Sequence, residues 1–543
     1  MVGEDLSQAF PWKTFKDYLK NSWKIFYDES RIRGEIQEDS FENFWEKVLA
    51  KGGWWGEEKQ YLPSPATPRP EVLSRVSRDA ESESKGKFHL YLYPSHAHYD
   101  GRGANQPWLQ QLPEPLVTAT WGTWLEISPE LAAKMEIVEG DLLEIDAPTG
   151  KIEVPAYIYP GIGDEVVAIA IGQGHTSYGR YAAGTGVNPL EIVNPKAEAL
   201  SGALAWASTK VNISKTGTHE KVLKTDPDKA QPGLEKGLRE LDREIVQWIE
   251  PEKAEEVEGE KLEAIKALPT RDLKKGPHFL SGLGLDKYRQ SKYHKYKYRW
   301  GMVIDLDKCT GCEACMVACY AENNLPIVEP LEMSRRRHKN WIRVDRYWEG
   351  EYPEIVAKVQ PRPCYHCGNA PCEPVCPVYA AFHTVDGLNG QVYQRCIGTR
   401  FCNVGCPYRV RLFNWFAPKW PKPLDEQLNT DISVRPVSIT DKCTFCVQRL
   451  RAAKDIAKDE GRLVRDGEAQ PACVQTCPSG AMVFGNLMDS ESKVSKLTRN
   501  PRRYRVLEEL NAEPAVIYLK AIRKSPEHKE EEELSETPDA THE

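Results

Sequence analysis

The chain has 543 residues, which by the usual domain size suggests about three or four domains. Its formal net charge of −8, with 28% charged residues, argues against a nucleic acid as a partner. No apolar run approaches the roughly 20 residues of a membrane-spanning helix. The longest run, Val166 to Ile171, has the length of a strand. The first residues show no signal peptide, so we expect export, if any, to depend on a signal-bearing partner.

The N-terminal segment, residues 1–86, carries aromatic residues at helical spacing. One stripe includes Tyr18, Trp23 and Phe26, and a second runs from Phe41 to Leu49. This period predicts two helices, and we interpret both stripes as packing faces.

Short strands follow in residues 87–205. Leu142–Asp146 and Ile152–Tyr159, joined by a Pro-Thr-Gly turn, predict a hairpin, and Val166–Ile171 predicts a third strand. Ser128, followed by a proline, predicts the start of a short helix at residues 130–135. These elements indicate a small β-barrel. The glycines of residues 172–189 suit either a surface approached by a ligand or ordinary turns.

The rest of the chain divides into three parts. Residues 206–296 are rich in Lys and Glu and predict a charged helical connector, with its best helix at residues 234–249. Residues 297–490 hold every cysteine, and residues 491–543 form a tail that ends acidic.

The 15 cysteines lie between Cys309 and Cys477 in four groups. A cubane cluster takes closely spaced thiolates from a tight loop and one more from elsewhere, and this spacing indicates iron–sulfur clusters. The groups are Cys309, Cys312, Cys315 and Cys319; Cys364, Cys367, Cys372 and Cys376; Cys396, Cys402 and Cys406; and Cys443, Cys446, Cys473 and Cys477.

The third group lacks one ligand, because Thr399 stands where its second cysteine is expected. A hydroxyl is a poor substitute for thiolate on iron. We therefore expect three [4Fe–4S] clusters and one [3Fe–4S] cluster. The alternative is a fourth [4Fe–4S] cluster with water or Thr399 on the odd iron.

In paired ferredoxin clusters, the last cysteine of one group serves the other cluster. If the first group pairs with the fourth and the second with the third, four sets of thiols result. Set one is Cys309, Cys312, Cys315 and Cys477; set two is Cys443, Cys446, Cys473 and Cys319; set three is Cys364, Cys367, Cys372 and Cys406; set four is Cys396, Cys402 and Cys376. This sharing is a hypothesis about assignment.

Other uses of the cysteines fit less well. Zinc sites take two separated pairs of thiolates, which does not explain a third cysteine two residues further on. Disulfides are disfavoured by the odd count and the short spacings. No Cys-x-x-Cys pair is followed by His, so covalent haem attachment is not expected.

Two regions resemble known families. Residues 300–309, 442–446 and 471–485 resemble the four-cluster electron-transfer subunits of molybdopterin oxidoreductases, such as polysulfide, dimethyl sulfoxide and nitrate reductases. Residues 105–108, 128–132, 139–141 and 172–175 resemble the molybdopterin-dinucleotide-binding domain of the same enzymes. The resemblance implies an α+β multidomain chain, in which a barrel of double-psi type precedes a duplicated bacterial-ferredoxin-like domain.

The fusion of these two parts is similar to the iron–sulfur subunits of alternative complex III. That resemblance implies partners, none of them a nucleic acid: an integral-membrane quinol-binding subunit, a multihaem cytochrome c, and a molybdopterin-enzyme-like subunit that supplies the missing front half. We then expect no molybdopterin and no catalytic site in this chain, with Gln173, His175 and Asn188 structural. It also implies a peripheral protein on the extracytoplasmic face, exported with a partner, although the cytoplasmic face stays open.

The leading hypothesis is thus an iron–sulfur electron-transfer subunit of a menaquinol oxidoreductase. The alternative is a subunit of a split molybdenum or tungsten oxidoreductase of the polysulfide reductase type, in which the barrel closes a true active site. Metal content separates the two. A third interpretation, a scaffold whose clusters only bind subunits together, predicts clusters that cannot be reduced.

Overall fold

The computed structural model describes residues 12, 14–29, 35–55, 86–193, 208–225, 245–251, 253 and 297–524. The chain forms two compact units: residues 1–83 with 194–208, and residues 84–193 with 209–543. Among the described residues, no helix combines the length and the apolar character that crossing a membrane requires.

The first unit contains the two predicted helices, α1 (Phe15–Glu29) and α2 (Phe41–Lys51). Their aromatic stripes face each other, and the ring of Trp23 lies 6.2 Å from that of Phe44. Helix α2 begins after Ser40, whose hydroxyl accepts a hydrogen bond from a backbone N–H of the first turn. The prediction that the stripes are packing faces is confirmed.

The second unit begins with a closed six-stranded barrel of order β1-β5-β2-β4-β3-β6. Neighbours β1 and β5 are parallel, as are β2 and β4, and the other pairs are antiparallel. Apolar side chains such as Leu90, Leu143 and Ile169 are fully buried. The strands are β1 (Phe88–Pro94), β2 (Leu125–Ile127), β3 (Asp141–Ala147), β4 (Gly150–Ile158), β5 (Val166–Ile171) and β6 (Lys210–His219).

Local signals place three predicted barrel elements correctly. Strands β3 and β4 form the expected hairpin, and β5 covers the predicted third strand. Two short helices, α3 (Pro107–Gln110) and α4 (Pro129–Lys134), lie between strands, and a 3-10 helix spans Pro189–Ile192. The Ser128 hydroxyl caps α4, accepting a hydrogen bond from the Leu131 N–H at 3.0 Å. The double-psi type of the barrel stays a prediction.

The cysteine-rich region is built from short elements around a four-stranded sheet of order β15-β8-β17-β16. Strands β8 and β17 are parallel, and the other two pairs are antiparallel. The helices are α5 (Ala314–Glu322), α6 (Pro330–Ser334), α7 (Phe401–Val404), α8 (Val447–Asp459), α9 (Ala472–Thr476) and α10 (Lys493–Leu497). The strands, with one from the preceding segment, are β7 (Trp248–Ile249), β8 (Trp300–Asp305), β9 (Arg343–Glu351), β10 (Glu354–Arg362), β11 (Ala381–His383), β12 (Asn389–Gln391), β13 (Leu412–Phe413), β14 (Thr440–Asp441), β15 (Met482–Asn486), β16 (Arg503–Tyr504), β17 (Val516–Leu519) and β18 (Ala521–Ile522). Short 3-10 helices span Tyr393–Arg395, Leu424–Gln427 and Glu508–Leu510.

The predicted boundary between barrel and connector at residue 205 is wrong. Strand β6 lies in the supposed connector, yet it closes the barrel by pairing with β1 and β3. Only Val211 and Ile213 of this strand are buried, and its second half is exposed. Two inward-facing apolar residues are too weak an alternation to indicate a strand from sequence.

The helix predicted at residues 234–249 is wrong at its end. Residues 234–244 lie outside the described part of the chain. The last two residues form β7, which pairs in parallel with β18. A partner from more than 250 positions further along the chain decides this conformation, and local periodicity does not report it.

The barrel packs directly on the cysteine-rich region within the same unit. The indole N–H of Trp108 donates to the Leu325 carbonyl at 3.2 Å, and that of Trp121 donates to the Val328 carbonyl at 3.0 Å. The Val328 N–H in turn donates to the Gln111 side chain at 2.6 Å. Both accepting residues are fully buried, so these bonds fix the segment that follows α5 against the barrel.

We predict that Trp121→Phe loosens this contact. The ring is retained, but the buried Val328 carbonyl loses its donor, which costs about 1–3 kcal/mol. Amide hydrogen exchange should become faster in the segment around Val328. The matched control is Trp55→Phe, because Trp55 is half exposed. Equal exchange in both variants would contradict a structural role for the Trp121 hydrogen bond.

Candidate iron–sulfur site

The four cysteine loops share one backbone feature. The residue before the second ligand position is left-handed in each loop: Gly311, His366, Gly398 and Phe445, with φ of 70°, 44°, 73° and 54°. Two of these are glycine, which adopts this conformation without strain. The loop therefore turns back on itself, as it must if its thiols are to face one small volume.

Thr399 occupies the same backbone position as Cys312. Each residue lies between two left-handed neighbours: Gly311 and Glu313 around Cys312, with φ of 70° and 55°, and Gly398 and Arg400 around Thr399, with φ of 73° and 64°. Helix α5 begins directly after the first loop, and α7 directly after the second. The threonine thus follows the path of a ligand loop with a different side chain.

The thiols of set one lie together although Cys477 is remote in sequence. Burial raises the pKa of the Cys315 thiol well above its ordinary value. Electrostatic repulsion adds to the shift, from the thiols of Cys309, Cys312 and Cys477. Buried thiols of this kind lose their protons when a metal binds them.

Set two is likewise brought together, with Cys319 supplied by α5. Burial raises the pKa of the Cys473 thiol well above its ordinary value, and repulsion from Cys446, Cys443 and Cys319 adds to it. The Asn323 side-chain amide lies 3.6 Å from the Cys319 sulfur and 3.8 Å from the Cys446 sulfur. The same asparagine is fully buried.

Set three converges in the same way. Burial raises the pKa of the Cys367 thiol well above its ordinary value. Repulsion adds to the shift, from Cys364, Cys406 and Cys372.

The three cysteines of set four are connected through shared polar neighbours. The Thr440 N–H donates to the Cys396 sulfur at 3.4 Å, while the Thr440 hydroxyl donates to the Asn403 side-chain oxygen at 3.2 Å. The Cys402 thiol reaches the same oxygen at 3.6 Å. Cys376 and Cys402 both interact electrostatically with Arg411.

Backbone N–H groups also point at the sulfurs. Such donors reach Cys376 at 3.2 Å, and Cys443, Cys446 and Cys396 at 3.4 Å. Burial acts to raise the pKa of the Cys376 thiol, but backbone donors outweigh it and lower that pKa. Hydrogen bonds to sulfur favour the negatively charged form and tune the potentials of iron–sulfur clusters. The residues present therefore fit this cofactor.

A single metal ion fits them less well. Among the described residues, no three His, Cys, Asp or Glu side chains meet at one ion position. Tetrahedral zinc with Zn–S distances of about 2.3 Å would place its sulfurs roughly 3.8 Å apart. Thiolates of a cubane cluster each bind a different iron and lie farther apart. The geometry favours clusters over zinc, while the ligand assignment stays a prediction.

The four sets lie in the order one, two, three, four. Cys319 of set two interacts with Cys315 of set one. Cys443 of set two interacts with Cys364 of set three. Arg411 then contacts set three and set four together. The arrangement is a series whose first member lies beside the barrel, since the His96 ring nitrogen is 3.0 Å from the Cys312 carbonyl oxygen.

The three barrel residues considered for a pterin have internal contacts. Gln173 and Gln110 exchange two amide hydrogen bonds of 2.8 and 3.0 Å. The His175 ring lies 5.0 Å from that of Tyr178, and Asn188 caps the 3-10 helix. A Cβ on Gly174 would lie 2.1 Å from the Asn188 nitrogen, so this glycine allows two segments of the loop to touch. These contacts agree with structural roles, and the absence of a pterin stays a prediction.

Two kinds of site residue were missed in the sequence. Asn323 follows Cys319 by four positions in a helix, a spacing that could have indicated it. Lys442 and Arg411 are buried cations beside the cysteines. Lys442 directly precedes Cys443, but Arg411 reaches the Cys372 sulfur from 39 positions away, with no local signal.

Comparisons with known proteins agree with this geometry. Residues 293–380 and 355–423 each match a 4Fe-4S dicluster domain, and residues 102–208 match a molydopterin dinucleotide binding domain. The fold and the cysteine sets therefore define an iron–sulfur protein joined to a barrel of the molybdopterin enzymes.

Curated relatives narrow this class. The menaquinone reductase iron-sulfur cluster-binding subunit of Nitratidesulfovibrio vulgaris is 45% identical over 42% of this chain and 91% of its own length. A putative iron-sulfur subunit of the dimethyl sulfoxide reductase of Halobacterium salinarum is 36% identical over 40% and 78%. The Hdr-like menaquinol oxidoreductase iron-sulfur subunit 1 of Archaeoglobus fulgidus is 34% identical over 41% and 84%. The chain belongs to this family of iron–sulfur oxidoreductase subunits.

We predict that Asn323→Leu lowers the potential of the cluster in set two. The substitution keeps the buried volume roughly constant but removes the N–H donors to the Cys319 and Cys446 sulfurs. A redox titration followed by electron paramagnetic resonance should show one cluster shifted to lower potential. Asn324→Leu is the control, because the amide of this neighbour donates to backbone carbonyls instead. An unchanged titration of Asn323→Leu would contradict the role assigned to its amide.

Proposed function

We propose that the chain is the electron-transfer subunit of a membrane-associated menaquinol oxidoreductase similar to alternative complex III. The observation that carries this is the series of four cysteine sets running from the barrel to the opposite, exposed end. When bound, iron–sulfur clusters accept and donate single electrons. The chain itself fixes their order, buries them and supplies hydrogen bonds to their sulfurs.

The surface at set four supports docking of an integral-membrane quinol-binding subunit. Large apolar side chains near its cysteines are exposed, among them Val404 at 87%, Ile397 at 64% and Phe401 at 59%. A groove beside them is lined by Thr399, Arg400 and Trp415, among others. Exposed apolar clusters of this kind mark interaction sites. The quinol would be oxidised in that partner, next to the end of the series.

Set four would hold a [3Fe–4S] cluster and the other sets three [4Fe–4S] clusters. The support is the position of Thr399, which takes the backbone path of Cys312 and is exposed to the groove. A hydroxyl leaves one iron position poorly ligated.

The barrel end supports a second partner, a separate molybdopterin-enzyme-like subunit that completes the missing front half. The barrel contacts set one through His96 and would act as a docking platform without a pterin. A multihaem cytochrome c or a soluble carrier would receive the electrons. We place the complex on the extracytoplasmic face, reached by export with a partner.

A second candidate is a split molybdenum or tungsten oxidoreductase of the polysulfide reductase type. The match of residues 102–208 to a molydopterin dinucleotide binding domain favours it. In that case the barrel would close a real active site formed largely by another subunit.

Elemental analysis of the native complex, purified through this chain, separates the two functions. We predict iron and c-type haem without molybdenum or tungsten. The iron count expected for three four-iron clusters and one three-iron cluster is about 15 per chain, before haem iron. Stoichiometric molybdenum or tungsten without haem would overturn the leading proposal in favour of the second.

We predict that Thr399→Cys converts the cluster of set four to [4Fe–4S] and lowers its potential. A thiolate then stands at the position that Cys312 takes in set one, and quinol oxidation should slow. Electron paramagnetic resonance should show the three-iron signal replaced. Thr310→Cys is the control, because Thr310 lies in the first loop at a non-ligand position. A three-iron signal that survives in Thr399→Cys would sink the assignment of Thr399.

A further inference from the structure

Arg411 is a buried cation between the last two cysteine sets. The residue is 4% exposed, and one guanidinium nitrogen lies 3.4 Å from the Cys372 sulfur of set three. The same group interacts electrostatically with Cys402 of set four, and it acts on Cys376 as well. One guanidinium is therefore shared by two sets.

The positive charge of Arg411 is not neutralised nearby. Its nitrogens donate to the neutral side chains of Asn389, at 3.0 Å, and Gln391. In the part of the chain that the structure describes, no carboxylate pairs with it. A guanidinium does not lose its proton in proteins, so a full charge lies against the sulfurs.

Arg449 provides a contrast beside set two. It interacts with Cys446 and Cys473, but its guanidinium pairs with the Glu322 carboxylate at 2.7 Å. It is also about one-third exposed. Its charge is thus largely cancelled, whereas that of Arg411 is not.

We propose that Arg411 is a positioning residue that raises the reduction potentials of the third and fourth clusters together. This inference rests on the proposed electron-transfer function and names a chain residue that sets where electrons reside. Reduction adds one negative charge to a cluster, and a fixed positive charge nearby stabilises that charge. Because the guanidinium lies between the two sets, one side chain favours electrons at both positions over sets one and two.

The buried thiols show the same influence. Burial raises the pKa of the Cys372 thiol to about 12, and Arg411 is the largest opposing influence. A group that favours a thiolate over a thiol also favours a reduced cluster over an oxidised one, since both carry additional negative charge.

The test is a redox titration of the intact complex, followed by electron paramagnetic resonance, for Arg411→Gln and Arg411→Lys. Arg411→Gln should shift the oxidised-to-reduced ratio of two clusters at least tenfold at a given ambient potential, which is about 59 mV for one electron. The three-iron signal should be one of them. Arg411→Lys should restore most of the shift, because the charge is kept. Arg449→Gln should leave these two clusters unchanged.

Several results would overturn the inference. One is an unchanged pair of potentials in Arg411→Gln at full iron content. Another is a shift confined to one cluster, and a third is an equal shift in all four. A lysine variant that behaves like the glutamine variant would assign the effect to the geometry of the fork instead of its charge.

A second variant keeps the test decisive if Arg411→Gln fails to retain its clusters. Gln391→Glu is nearly isosteric and places a carboxylate on the guanidinium that Gln391 already accepts from. It should lower the same two potentials, and unchanged potentials would overturn the inference. Failure of the proposed function would appear differently, as wild-type clusters that quinol cannot reduce.

Discussion

The constraint on which the structure depends is that each cysteine set draws ligands from segments far apart in the chain. Set one needs Cys477 beside the loop that begins at Cys309, and set two needs Cys319 beside Cys473. This reciprocal exchange joins the beginning and the end of the region. Strand β8 therefore lies between β15 and β17, which come from its far end. Cluster binding and folding of this region are consequently one process, as in other domains whose metal ligands are assembled by the fold.

A second consequence is that negative charge must be accommodated in a buried place. An uncompensated buried charge is costly, and pairing or hydrogen bonding is the usual solution. Here the chain uses backbone N–H groups, the Asn323 amide and two buried cations. Lys442 donates to the carbonyls of Asn389 and Cys443, so its charge lies between sets two and three much as Arg411 lies between three and four. The compensation thus comes from groups placed between clusters.

Sequence reasoning is reliable here where the determinant is local. The cysteine groups, the β3–β4 hairpin and the Ser128 cap depend on residues a few positions apart. Strands β6 and β7 depend on distant partners, and their own residues show little alternation. Arg411 depends on the third level, the packing of separate loops, so nothing near it in sequence marks its contact with Cys372. The left-handed pair around Thr399 shows the reverse case, because the cysteine spacing located this residue correctly and the backbone explains why.

The two ends of the series differ in a way that bears on direction. At set one the barrel covers the loop: the neighbouring Glu313 is 2% exposed and His96 reaches the Cys312 carbonyl. At set four the loop is open, with apolar side chains and arginines at the surface. A buried end fixed to a platform within the same chain needs little reorganisation to keep its geometry. An open end acquires its final environment only when a partner covers it, so that partner has the greater influence on the potential there. The fused barrel therefore defines one end of the relay, and the complex defines the other.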